Sequence, residues 1–327
     1  MKSLKKMLCA LLAVAMITAA FAGCDKDKKS TSSTADSSEA SSEATTTSAP
    51  DSSEDGTTTT SATTAPDDSS DSTADTTTTS SAVSAGATVT TISNPKPAST
   101  NLNSAVANNS DTVAWIKISG TFVDYPVLMK TNADEKFFYL NHDENKNYSK
   151  AGSLFADYRS SFSSSGQSDN IVIYGHNMAN GSYFGSLNNY KQLKFYKNNS
   201  LITFNTKYKN ASYVIVACFY ANTVASDDNG TVFSYHNYQN FGTQADFNYW
   251  KENVKKRSWY NEAIDYNIDD KYITLSTCTN MLNEGRIVVI AREVRSGETI
   301  NTNNIAVNPS IYFPQDWYDK YGDRVQP

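Results

Sequence analysis

Three side chains in this sequence are of the types that covalent acyl transfer requires: Cys278, His176 and Arg286. A cysteine sulfur attacks a carbonyl, an imidazole carries the proton to and from a leaving amine, and a guanidinium holds the oxyanion that develops between them. Cys278 and Arg286 lie eight positions apart within KYITLSTCTNMLNEGRIVVIAREV (Lys271 to Val294), while His176 follows the apolar run NIVIYG far upstream. The same residues also have plain readings as an inert buried thiol, a satisfied imidazole and a surface guanidinium. Spacing alone leaves both sets open. With reference pKa values of about 8.5 for cysteine and about 6.5 for histidine, such a pair at neutral pH is mainly thiol and neutral imidazole. The reactive thiolate needs help, which Arg286 would supply by favouring the anion.

The other candidates are few, because the chain has three histidines and four cysteines. His142, among Asn141, Asp143 and Glu144, reads as a solvated loop residue, and His236, beside Tyr235 and Tyr238, as one that covers a surface. Cys218 alternates within Tyr213 to Tyr220 and reads as a small core residue. A Cys218 to Cys278 disulfide is the competing reading in an exported protein. Both cysteines lie within strands, however, where a bridge demands a suitable Cα separation. No pair of Cys or His has ligand spacing, so neither a metal nor another cofactor is expected.

The elements that must position these residues read mainly as short strands. Tyr272 to Cys278 alternates, with Ile273, Leu275 and Thr277 on one face and Tyr272, Thr274, Ser276 and Cys278 on the other. Ile287 to Val294 is a second strand, and Asn280, Asn283, Glu284 and Gly285 between them form a turn that returns Arg286 to the side of Cys278. Further strands are predicted at Thr112 to Ile118, Tyr125 to Met129, Ser153 to Ala156, Asn170 to Gly175, Leu201 to Asn205 and Ser212 to Tyr220. The Asn170 to Gly175 run is unbroken and reads as buried on both faces. Helices are expected at Asn101 to Asn108 and from the cap Thr243 to Lys256, where Phe247, Trp250 and Val254 share a face. Ser182 to Asn198 is helical or loop. Short strands at regular spacing around one late helix imply a mainly β fold with a closed or nearly closed barrel.

The N-terminal third is built differently. Residues 1–24 show three lysines, an apolar run from Met7 to Phe21 and small residues before Cys24, the pattern of an export signal. FAGC (Phe21 to Cys24) resembles a bacterial lipobox, in which Cys24 is lipidated; an uncleaved membrane anchor is the other reading, and either tethers the chain to the outer face of a membrane. Residues 25–100 are an acidic Ser/Thr-rich linker, expected to be disordered and to span about 50 Å over roughly seventy residues. They hold twelve acids and four lysines, so most of the net charge of -6 belongs to them and the rest of the chain is near neutral. No basic stripe exists to bind nucleic acid. This division leaves a barrel at 101–295 and a C-terminal extension at 296–327, whose Tyr312, Phe313, Trp317, Tyr318 and Tyr321 are too aromatic for a free tail.

TLSTC (Thr274 to Cys278) followed by Arg286 in GRIVVIAR, together with IVIYGHNM (Ile171 to Met178), resembles the active-site segments of class B sortases. DYPVLM (Asp124 to Met129), SKAGSLFADYR (Ser149 to Arg159) and GSYFGSL (Gly181 to Leu187) extend the resemblance over most of Thr112 to Val294. It implies a sortase-type barrel with added peripheral helices. It also implies an extracytoplasmic cysteine transpeptidase of a Gram-positive bacterium, which cuts a C-terminal sorting signal of surface proteins after Thr and passes the acyl group to an amine of a cell-wall cross-bridge or a pilin. Matched motif by motif, Cys278 would be the nucleophile, His176 the acid/base and Arg286 the oxyanion and substrate ligand, with Thr277 and Asn177 in substrate binding. Thr279 stands where many relatives place an acid, which removes any role for a carboxylate there, and the long leash is unlike the usual short anchor. A silent surface-binding barrel and a hydrolytic peptidase are the alternatives. Cleavage of a signal peptide with and without an added amine separates them.

Overall fold

The computed structural model describes residues 89–91 and 100–323 of the chain; the export signal with Cys24 and most of the linker lie outside the described residues. In chain order the strands are β1 (Val89–Thr91), β2 (Thr112–Ile118), β3 (Asp124–Leu128), β4 (Leu154–Ala156), β5 (Phe162–Ser163), β6 (Gly166–Gln167), β7 (Asn170–Tyr174), β8 (Leu201–Thr206), β9 (Asn210–Asn222), β10 (Tyr272–Thr279), β11 (Gly285–Glu293) and β12 (Thr299–Asn301). The α-helices are α1 (Thr100–Asn108), α2 (Leu193–Asn198), α3 (Gln244–Arg257) and α4 (Gln315–Tyr321). Eight of the strands close into a barrel in the order β10-β11-β9-β8-β2-β3-β4-β7, with β7 pairing parallel to β10. The mainly β closed barrel expected from the strand spacing is the fold observed.

Alternation along the strands explains the two-layered core. Ile171, Ile173, Ile273, Leu275, Ile287 and Val289 point inward and are buried together. Their neighbours point outward and are also buried, for two reasons. Val172 and Tyr174 of β7 lie under the 3-10 segment Phe138–Leu140 with Tyr139 and Phe155, which is why the β7 sequence has no polar alternation. Val288 and Ile290 of β11 lie under α3, whose Phe247, Trp250 and Val254 form its buried face. Thr243 caps that helix, its Oγ1 accepting from Asp246 N at 3.1 Å, and Lys255, Lys256 and Arg257 complement the dipole at the other end.

Residues beyond the barrel are part of the same body. Phe313 and Trp317 stack at 4.3 Å and reach Tyr220 of β9. Within the stretch read as linker, Val89–Thr91 pairs antiparallel with β12, a β-branched triplet supplying an edge to an edge. The sequence also left unassigned the small β5–β6 hairpin and the 3-10 turns over 225–237 between β9 and α3, which have no apolar period to reveal them.

Candidate active site

The β10–β11 hairpin sets Cys278 directly opposite Arg286, as the turn residues implied. The turn is tight. Glu284 adopts a left-handed φ of 49°, and a side chain at Gly285 would put its Cβ 2.4 Å from Leu282. Arg286 is 3% exposed, and its Nη1 donates to the carbonyls of Glu284 at 3.0 Å and Gly285 at 2.9 Å. One edge of the guanidinium is thus moored to the turn that delivers it.

β7 brings His176 to the other flank of the same strand. Tyr174, the last residue of β7, is the register partner of Ser276, and His176 follows two residues beyond the paired strands. Neighbouring strands run about 4.8 Å apart, so the main chain at His176 passes close to that at Cys278. Cross-links fix this end of the pair: Gly175 N donates to Ser276 O at 3.2 Å, Thr277 Oγ1 to Gly175 O at 2.7 Å, and Asn177 Nδ2 to Cys278 O at 2.9 Å. Asn177 Oδ1 in turn accepts from Asn188 Nδ2 at 2.9 Å. Thr277 and Asn177, expected to bind substrate, are therefore engaged with the main chain around the cysteine, where they frame Cys278. His176 is held from outside by its Nε2, which lies 2.8 Å from Leu140 O.

Cys278 is half-buried and Cys218 fully buried, and no disulfide joins them. The disulfide reading fails for a geometric reason, since Cys218 faces the barrel interior while Cys278 shares the outward face of Ser276. Burial pushes the Cys218 thiol up, as suits an inert core residue.

A cleft of about 640 Å³, open to solvent, runs over this outward face and is lined by Phe137, Tyr174, Tyr235, His236, Ser276 and Arg286 among others. Its wall is the segment between β9 and α3. Tyr235 OH bonds Ser276 Oγ at 2.7 Å, and the Arg159 guanidinium, paired with Asp157, reaches His236 O at 2.9 Å and Asn237 Oδ1 at 3.0 Å. His236 is thus a cleft residue and not the surface cover its neighbours suggested. Burial, with the positive charges of Arg159 and Arg286, lowers its pKa to about 4, against a smaller opposing pull from Asp157. His142 is no freely solvated loop residue either: it stacks on Phe138 at 4.0 Å. The signal for Tyr235, Tyr174 and Ser276 was present only as strand parity and a Tyr-His-Asn-Tyr cluster. Asp157 and Arg159 lie in SKAGSLFADYR, which gave them no role short of the folded chain.

Comparison with known proteins identifies the family. A family model described as the sortase domain covers residues 116–294. This chain belongs to the class B sortases. It is 32% identical over 190 residues to a sortase B of Staphylococcus aureus, spanning 57% of this chain and 72% of that protein. A sortase B of Listeria monocytogenes is 30% identical over 202 residues, spanning 59% of this chain and 76% of that one. Among solved structures, a Staphylococcus aureus sortase B-substrate complex superposes with a TM-score of 0.51 at 28% identity, covering 59% of this chain and 84% of that one. The family is one of extracytoplasmic cysteine transpeptidases that act on sorting-signal substrates and amine acceptors. Among the described residues, no helix of this sortase is long and apolar enough to cross a membrane.

Proposed function

We propose that this sortase cleaves a C-terminal sorting signal after threonine and transfers the new acyl group to an amine of the cell wall or of a pilin. The Cys278 thiol gives its proton to His176 as its sulfur bonds to the threonine carbonyl carbon, and Arg286 holds the oxyanion. The C–N bond then breaks as His176 delivers that proton to the departing amine, leaving a thioester on Cys278. An incoming amine attacks that thioester, gives a proton to His176 and displaces the sulfur, which takes the proton back as the thiol. The acyl group thereby passes from amide to thioester to amide, with no net consumption of water.

The observation that supports this reading is that Cys278 and Arg286 are register partners on β10 and β11, while His176 follows two residues after β7, the parallel neighbour of β10. The solvent-open cleft over Ser276 and Tyr174 is the surface along which the donor peptide would lie. Thr277 and Asn177 act on the substrate indirectly, Thr277 by holding the Gly175 carbonyl before His176 and Asn177 by holding the Cys278 carbonyl.

Incubation with a sorting-signal peptide and mass spectrometry tests the chemistry. Wild-type protein gains the acyl mass, and Cys278→Ala gains none. Arg286→Lys, which loses the planar fork, slows thioester formation by about a hundredfold. Acylation of the Cys278→Ala variant would place the nucleophile elsewhere. Residues 1–24 would tether the enzyme to the outer face of the membrane with Cys24 lipidated; an intact Met1 on the membrane-extracted protein removes the lipid reading and leaves an uncleaved anchor.

A further inference from the structure

The imidazole of His176 is held by a main-chain oxygen, and the position of that oxygen depends on one glycine. A carbonyl oxygen only accepts hydrogen bonds, so the 2.8 Å contact with Leu140 requires the proton on Nε2 of His176. The neutral ring then carries its lone pair on Nδ1, away from Leu140, and the charged ring donates from both nitrogens. In nucleophile–base pairs generally, a third group fixes the tautomer and ring orientation of the base.

Leu140 ends the 3-10 segment Phe138–Leu140, and the segment is tied down on both sides. Tyr139, 1% exposed, donates its hydroxyl to Asp111 at 2.7 Å and accepts from Asn109 Nδ2 at 3.0 Å. Its carbonyl accepts from Ser153 N at 2.9 Å, and Asn141 O accepts from Ser149 N at 2.9 Å. The chain that makes these last two bonds passes over Leu140 at Gly152, which has a φ of +56°. A Cβ on Gly152 would stand 2.4 Å from Leu140 O, 2.6 Å from Tyr139 O and 2.8 Å from Leu140 C. All three are main-chain atoms, so nothing can swing aside; the carbonyl itself would have to move.

We propose that the Leu140 carbonyl is the orienting third group of the His176–Cys278 site, and that Gly152 is a positioning residue that keeps this carbonyl aimed at Nε2. The proposal rests on His176 being the acid/base, and the two are separable. A His176→Ala enzyme that still forms thioester at the wild-type rate ends that assignment, whereas the tautomer of His176 in the unaltered protein bears on Leu140 alone.

Nitrogen-15 spectra of wild-type protein, labelled on histidine and assigned by loss of the His176→Ala signals, read the tautomer directly. The expected result is a single Nε2–H form. A predominant Nδ1–H form overturns the proposal without any variant having to fold. Gly152→Ala then tests the glycine, with Gly297→Ala as its matched control. Gly297 also has a positive φ, +73°, but a Cβ there meets nothing within 4 Å, so it reports the cost of backbone strain alone. Gly152→Ala should lower kcat for thioester formation by about a hundredfold with KM kept, and mix the tautomers, since small misplacements of catalytic groups carry losses of that order. Gly297→Ala should change neither. A folded Gly152→Ala enzyme with wild-type kcat and an unmixed tautomer overturns the role of Gly152; if that variant does not fold, the wild-type spectrum decides.

Discussion

At the residue scale, His236 shows how a group outside the proposed trio becomes part of the cleft. Tyr235 is drawn in by its bond to Ser276, and His236 follows it into the wall, where burial, and after it the charges of Arg159 and Arg286, makes protonation of its imidazole unfavourable. Its folded pKa of about 4 lies below the value of about 6.5 for a free histidine. Between those values the unfolded chain binds a proton that the folded one does not, so stability is full above about pH 6.5 and falls as the pH drops toward about 4. The slope is at most about 1.4 kcal/mol per pH unit. Urea midpoints measured from pH 7 to pH 4 should show it, and His236→Gln should flatten the curve; an unchanged slope in that variant assigns the acid sensitivity to other groups. That Cys278, Arg286 and His176 stand at strand ends or beside a turn was legible in the sequence, because local pattern marks such places. His236 was not, because its environment is made by Arg159 and Arg286, far from it along the chain. Thr279 accepts from Met281 N at 3.2 Å and so serves the turn.

At the scale of elements, the strands were readable because β-branched parity is a local property, and the predicted bounds for β2 coincide with those observed. The wall between β9 and α3 was not readable, since it is held by side chains reaching across the barrel. Its main fastening is the Asp157–Arg159 pair at the exit of β4. Asp157 is 6% exposed; burial alone would raise its carboxyl, but the hydrogen bonds and charge of Arg159 more than offset this and hold it below the usual range. Tyr174 of the cleft floor donates to the same carboxylate at 2.9 Å, and Arg159 continues to His236 and Asn237 of the wall. Floor and wall therefore share one carboxylate. Asp157→Asn should cost about 2 kcal/mol, less than a fully buried pair because a third of the Arg159 side chain remains in water. It should also raise KM for the donor peptide more than it lowers kcat. Denaturation together with steady-state kinetics checks both, and an unaltered KM would show that the wall needs no such anchor. Within α3, Trp250→Ala removes a side chain that is 0% exposed and should destabilise the fold by about 3 to 5 kcal/mol by calorimetry.

At the scale of the whole molecule, the family match ends at residue 294 but the packed body does not. Trp317 in α4 is 1% exposed, Asp316 accepts from Asn283 N at 2.6 Å, and Tyr321 OH donates to Met281 O at 3.1 Å. Both bonds land on the turn that carries Arg286. A chain ending at residue 295 should therefore lose thermal stability and most of its thioester-forming activity together; retention of full activity would show that the turn stands without α4. The aromatic content of this region signalled that it packs, yet nothing in its order along the chain told where. That docking also marks a point of attack. A protease that clips the chain between β12 and α4 would free α4 from the turn and strip the hairpin of its outer brace.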